Sequence, residues 1–167
     1  MEPWQRVDSA PPAEARRLLS SCCGSTRWVD GMMARRPFGG LDPMLSAAAD
    51  VWRGLSVEDW KEAFAHHPRI GEQNLHQGRY ARTAHLSTRE QAGAAGASDD
   101  VRRQLAGANR RYEARFGYLF IVCATGLGAG EMLARLRSRL GNDPAAEIQV
   151  AAEEQARITA LRLRAIA

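Results

Sequence analysis

Helix-start and helix-stop residues recur at short intervals along this chain, and they constrain its fold more than any other feature. Pro11-Pro12 opens a segment running to about Cys22, because a first helical turn has unpaired N–H groups in any case and proline lacks one; Gly24 ends it. A second segment covers Thr26 to Arg35, and Arg36-Pro37-Phe38-Gly39-Gly40 breaks the chain before a third from about Asp42 to Arg53. Ser56-Val57-Glu58-Asp59 reads as an N-terminal cap, followed by Trp60 and Phe64 at i and i+4. This fourth helix is predicted to end near His66-His67, because the residue before Pro68 is disfavoured in the helical region. Ser87 opens a fifth helix, and Ser98-Asp99-Asp100 a sixth that continues to Phe116 and stops at Gly117. One more runs from Glu131 to Leu140, and a last from Asn142-Asp143-Pro144 to about Ile166. With no hairpin signature between them, these segments predict an all-α, single-domain bundle of about eight helices over residues 1–167.

A chain of 167 residues can bury one sufficient core without disulfides or metals. Its 45% hydrophobic and 25% charged residues are those of an ordinary globular protein, which excludes a disordered or fibrous chain. The best apolar run, Tyr118 to Leu127, is too short to cross a bilayer. The first residues lack the basic start and apolar stretch of a secretory signal, and the chain ends Arg164-Ala165-Ile166-Ala167 rather than in a Ser-Lys-Leu type of address. A cytoplasmic protein with no membrane partner is expected. Cys22, Cys23 and Cys123 form no C-x-x-C pair and are odd in number, so reduced, buried thiols are expected. The net charge of +4 comes from arginines spread among acids, with Lys61 the only lysine. Nucleic-acid binding usually calls for basic residues gathered on one face or interleaved with exposed aromatics, and a small anionic substrate steered by a mildly positive field is an equally good reading that demands less.

Of the histidines His66, His67, His76 and His85, His67 is singled out by Pro68, which pins the backbone after it beside a long connection from Ile70 to His85. A fixed imidazole there suits acid/base work. The same position also suits a helix C-cap, where a histidine meets the negative end of the dipole. Metal binding fits poorly, for there is no H-E-x-x-H, and His76 and His85 have no cysteine pair nearby. Ser87-x-x-Glu90 reads first as a capping box; Glu90 and Gln91 at a helix N-terminus equally suit a pocket where main-chain N–H groups attract anions. Phe120-Ile121-Val122-Cys123-Ala124 is core by composition and partly β-prone, yet an extended stretch there leaves main-chain groups that a flat, polar heterocycle can pair. Arg162 borders the apolar stripe of the last helix, where an arginine either snorkels to water or grips a carboxylate.

Taken together, these motifs resemble the 2-oxo-4-hydroxy-4-carboxy-5-ureidoimidazoline (OHCU) decarboxylases. The likeness is carried by Cys22-Cys23-Gly24-Ser25 with Trp28, Arg36-Pro37-Phe38, Asp59-Trp60-x-x-Ala63-Phe64 and His67-Pro68-Arg69-Ile70-Gly71. It continues in Ser87-x-x-Glu90-Gln91, Asn109-x-x-Tyr112-x-x-Arg115-Phe116-Gly117, Phe120-Ile121 and Leu161-Arg162-Leu163, in one order over nearly the whole chain. The resemblance implies an all-helical homodimer that turns the ureidoimidazoline of urate breakdown into (S)-allantoin without a metal or other cofactor. It places the catalytic histidine on His67, with Glu90 assisting. Substrate contacts fall on Pro68, on Ser87, Glu90 and Gln91, on Phe120, Ile121, Val122, Cys123 and Ala124, and on Arg162. Two rival readings from other classes stay open: a helical nucleic-acid-binding module, which would explain the net positive charge, and an interaction protein that kept this fold but lost its chemistry. The presence of His67, Glu90 and Arg162 argues against such a loss.

Overall fold

In the computed structural model, which describes residues 1–70 and 98–167, the cap signals become helix ends. Eight helices lie within these residues: α1 (Pro3–Ser9), α2 (Pro12–Cys22), α3 (Thr26–Ala34), α4 (Leu41–Arg53), α5 (Val57–Phe64), α6 (Asp99–Phe116), α7 (Ala129–Leu140) and α8 (Pro144–Arg164). The all-α class is thus observed, and among the described residues there is no strand. Seven of the helices match the segments read from the sequence. The eighth, α1, begins with Glu2 and Gln5 bonding each other's backbone and with Pro3 in the first turn. The helix expected from Ser87, like the connection from 71 to 85, lies outside the described residues.

The caps form as their chemistry dictates. Ser56 Oγ accepts from the Asp59 N–H at 3.2 Å, while the Asp59 carboxylate accepts from the Ser56 N–H at 3.1 Å. Ser98 Oγ caps α6 through the Val101 N–H. Gly117 ends that helix at φ 81°, a left-handed conformation in which a side chain would be strained. The Asp143 carboxylate accepts from the Ala145 N–H just ahead of α8. Helix α5 stops at Phe64, slightly earlier than expected: the His67 N–H bonds the Phe64 carbonyl in a closing turn, and Pro68 bars continuation.

The chain divides into two compact units, one formed by Met1–Ala63 and Ala156–Ala167, the other by Phe64–Gln155. In the first, α2, α3 and α4 pack in sequence around Leu19, Trp28, Met32, Met44 and Trp52, all buried. Helices α3 and α4 meet so closely that a Cβ at Gly31 would stand 2.6 Å from a Val51 methyl. The indoles of Trp28 and Trp60 donate to the carbonyls of Ala48 and Trp52, so both motif tryptophans are buried with their one polar atom satisfied. The break after α3 is tied back to α1: Asp8 accepts from the N–H groups of Phe38 and Gly39, and Arg36 donates to the carbonyls of Asp8 and Ala10. The Arg36-Pro37-Phe38 motif is therefore a structural clasp. Cys22 and Cys23 are buried free thiols, each pushed up to about 12 chiefly by that burial, so they stay protonated and inert. Cys123, in the other unit, is only half-buried.

In the second unit α6 packs on α7 around Leu105, Tyr112, Phe120, Met132 and Leu136. Full burial of each large apolar side chain there contributes about 1.5–3 kcal/mol. No helix of the described residues is long and apolar enough to cross a membrane.

Candidate active site

The second unit carries a buried polar assembly that holds the non-helical segment ahead of α7. Glu147, fully buried on α8, accepts from Arg139 Nε at 2.6 Å, from the Tyr112 hydroxyl at 2.7 Å and from the Asn142 amide at 3.0 Å. Burial, reinforced by the bond to Glu147, raises the Tyr112 phenol well above its usual range, so it remains a donor. Arg139 then reaches the Ile121 carbonyl at 2.5 Å and lies over the Phe120 ring at 4.5 Å. Removing one member of such a buried ion pair costs about 3–5 kcal/mol, whereas an exposed pair like Arg16–Asp30 is worth about 0.2–1 kcal/mol. The buried assembly, and not the surface pairs, fixes the backbone here.

Residues 119–124 belong to no helix or strand. Phe120, Ile121, Val122 and Ala124 are buried, and Cys123 is half-buried. The sequence expectation that main-chain groups here seek partners is met in part by the protein itself. The Ile121 carbonyl is taken by Arg139, and the Cys123 N–H donates to the Glu154 carboxylate at 2.9 Å.

His67 stands in the turn that closes α5, and it is buried with 8% of its surface exposed. Its Nε2 lies 2.7 Å from Oε1 of Gln155, a fully buried residue of α8. Pro68, the next residue, is buried too. Arg69 forks onto Glu113 of α6 through two 2.8 Å bonds, which anchors the backbone just beyond. His66 is half-buried and is a poorer candidate for a fixed imidazole. Structure thus joins His67 to Gln155, Glu154 and Arg139 to the 119–124 segment, and Arg69 to Glu113, none of which the sequence reading named as partners.

Arg162, in the first unit, is buried rather than snorkelling, with 7% of its surface exposed. Its charge acts on the thiols of Cys22 and Cys23 and lowers both against the larger effect of burial. Ser87, Glu90 and Gln91 lie outside the described residues, as do His76 and His85.

Known proteins match most of this chain in sequence and in fold. The profile of the OHCU decarboxylase family matches residues 8–164. The uric acid degradation bifunctional protein TTL of Arabidopsis thaliana is 37% identical over 144 residues, 85% of this chain; the chain spans only 44% of that longer relative. The 2-oxo-4-hydroxy-4-carboxy-5-ureidoimidazoline decarboxylase of Amia calva is 33% identical over 78% of this chain and 74% of its own length. Among solved structures, an OHCU decarboxylase crystallised in the presence of (S)-allantoin superposes with a TM-score of 0.76 at 32% identity, covering 88% of this chain and 94% of that one. An (S)-allantoin synthase, at 18% identity and a TM-score of 0.69 over 52% of its chain, shares the fold. A match of this extent and order, on a chain whose cap residues, buried tryptophans and held histidine sit where its motifs fall, means that the chain belongs to the OHCU decarboxylase family.

Proposed function

We propose that this protein decarboxylates 2-oxo-4-hydroxy-4-carboxy-5-ureidoimidazoline to (S)-allantoin in urate breakdown, with His67 exchanging the proton. The observation that carries the reading is His67 itself: an imidazole withdrawn from bulk water and held at Nε2 by an uncharged side chain. Imidazole is the side chain whose unperturbed pKa suits it to take and return a proton near neutral pH.

The substrate bears a hydroxyl and a carboxylate on one ring carbon beside a C=N unit. When the carbon–carboxylate bond breaks, its electron pair moves into that unit, whose nitrogen takes a proton, and carbon dioxide leaves. The hydroxyl then gives up its proton as it becomes a carbonyl, and the neighbouring carbon receives one on a single face. Since the substrate contains its own electron sink, the protein's work is to hold the carboxylate, move protons and choose the face. His67 is the proposed proton carrier and Pro68 a wall of the pocket. Main-chain groups of residues 120–124, other than those engaged by Arg139 and Glu154, are proposed to grip the ureido and ring amides. Arg162 is proposed to bind the anion. The resemblance adds Ser87, Glu90 and Gln91, with Glu90 orienting the ring or the imidazole. A homodimer, on the same resemblance, and a cytoplasmic location complete the reading.

Protein stripped with chelator is expected to consume the ureidoimidazoline, generated in situ from urate, as fast as untreated protein, because the proposed chemistry passes through no metal. The assay follows disappearance of the substrate's ultraviolet absorbance. Activity lost on chelation and restored by one added metal would refute this mechanism and turn attention to His76 and His85.

A further inference from the structure

A peptide group is planar and, when trans, its C=O and N–H point in opposite directions, so a side chain that grips the oxygen also aims the hydrogen. The Ile121–Val122 peptide is gripped in this way: Arg139 donates to the Ile121 carbonyl at 2.5 Å, and the only cis peptide among the described residues is Arg36-Pro37. The Val122 N–H is therefore held pointing away from Arg139. Resting on the reading of residues 120–124 as the main chain that grips the substrate, we infer that Arg139, itself aimed by Glu147, is a positioning residue that presents the Val122 N–H to a ring or ureido carbonyl of the substrate.

Arg139 has the fixity that such a role needs. It is buried, its Nε donates to Glu147 Oε1 at 2.6 Å, and its guanidinium carbon lies 4.5 Å from the centre of the Phe120 ring. Glu147 is held in turn by the Tyr112 hydroxyl and the Asn142 amide, so the guanidinium plane cannot turn without breaking bonds on both sides. Stability alone does not ask for this arrangement. A buried ion pair is often no more stabilising than well-packed apolar side chains of the same volume, whereas its directional bonds fix a geometry. The far side of Val122 is clamped likewise: the Cys123 N–H donates to the Glu154 carboxylate at 2.9 Å, which by the same planarity aims the Val122 carbonyl away from Glu154. Val122 itself is buried, and no other described residue bonds its N–H or its carbonyl. One residue thus offers a donor and an acceptor, each fixed through its own peptide by a buried charged side chain. An amide of the substrate presents the complementary pair.

Ile121-Val122 is the only Ile-Val pair in the sequence, so full-length protein labelled with carbon-13 at isoleucine carbonyls and nitrogen-15 at valines gives one signal in a carbonyl–amide correlation spectrum. In the parent, added (S)-allantoin is expected to move the Val122 amide signal saturably. In Arg139→Met the Ile121 carbonyl signal should shift as it loses its donor, and the Val122 response to (S)-allantoin should weaken. For the ureidoimidazoline, KM should rise by about 3- to 10-fold, the worth of one hydrogen bond, with kcat within about 2-fold of the parent. A variant that merely leaves fewer molecules folded does the reverse, lowering apparent kcat at an unchanged KM. Arg139→Lys keeps a charge beside Glu147 but lacks the fork that bonds Glu147 and Ile121 at once, and the same changes are expected of it. A Val122 amide left unmoved by saturating (S)-allantoin in the parent, or parental KM in the folded variants, would overturn the inference. Should Arg139→Met not fold, Arg139→Lys decides, and should neither fold, the parent titration decides. If the parent consumed no ureidoimidazoline, the functional reading would fail while the Ile121 carbonyl signal of Arg139→Lys still reported whether Arg139 fixes this peptide.

Discussion

Turnover by a folded His67→Asn variant is expected to fall by roughly 100-fold or more, the scale of lost acid/base catalysis, while His66→Asn costs far less. The two adjacent histidines differ in setting. His67 is buried in the closing turn of α5, with Pro68 after it and Gln155 on its ring; His66 is half-buried. Asparagine keeps a polar side chain but cannot take up a proton near neutral pH. It also removes the ring that lies 2.7 Å from Gln155 Oε1, and loss of a hydrogen bond costs about 0.5–1.5 kcal/mol. Far-UV circular dichroism and melting curves of both variants must therefore match the parent's before rates are compared. A folded His67→Asn that still made (S)-allantoin near the parental rate would show the mechanism to be wrong, even though the family assignment stands.

Replacing Arg162 is expected to lower kcat/KM strongly whichever residue is put in its place. A charge-assisted hydrogen bond to a carboxylate is worth about 1.5–3 kcal/mol, so Arg162→Ala should lose about 10- to 100-fold. Arg162→Lys should also be impaired, because lysine keeps the charge but not the planar fork that matches two carboxylate oxygens. Burial sharpens this expectation: an arginine with only 7% of its residue surface exposed is not held out in water as a solubilising group. Steady-state kinetics of both variants, with melting curves as control, decide the matter. Near-parental kcat/KM in both would make Arg162 a structural residue beside Cys22 and Cys23.

Much of the fold was legible because helix ends are written locally. Ser56 with Asp59, Ser98 with Val101, Gly117 and Asp143-Pro144 each act within one turn, so their chemistry could be read without knowing what packs where. Helix α1 was overlooked although its signal is of the same kind, Glu2 and Gln5 around Pro3. The partners of the candidate site are another matter. His67 and Gln155 are 88 residues apart, and no local rule brings them together. A trace of Gln155 was nonetheless present. In α8 the buried positions 147, 151, 152, 154, 155, 158, 159, 162 and 163 recur with helical spacing, yet five of these nine, Glu147, Glu154, Gln155, Thr159 and Arg162, are polar or charged. Polar residues recurring on the inward stripe of a helix mark side chains that the interior must satisfy, and in α8 Glu147, Glu154 and Gln155 satisfy a phenol and a guanidinium, a backbone N–H and a histidine. The small side chains of Ala151 and Ala152 made that stripe hard to see in the sequence. The segment 120–124 was seen as both core and main-chain donor or acceptor, and it is both: its side chains are mostly buried while Arg139 and Glu154 hold its backbone.

The central claim, that the protein forms one enantiomer of allantoin from the unstable ureidoimidazoline, is tested most directly by circular dichroism. The substrate is generated in situ from urate, the protein is added, and the dichroic signal of the product is followed in time. A signal of (S)-allantoin sign should appear at a rate proportional to protein concentration, since facially selective protonation yields one enantiomer whereas the spontaneous reaction yields a racemate. A product without dichroism, formed at the rate seen with no protein present, would contradict the account.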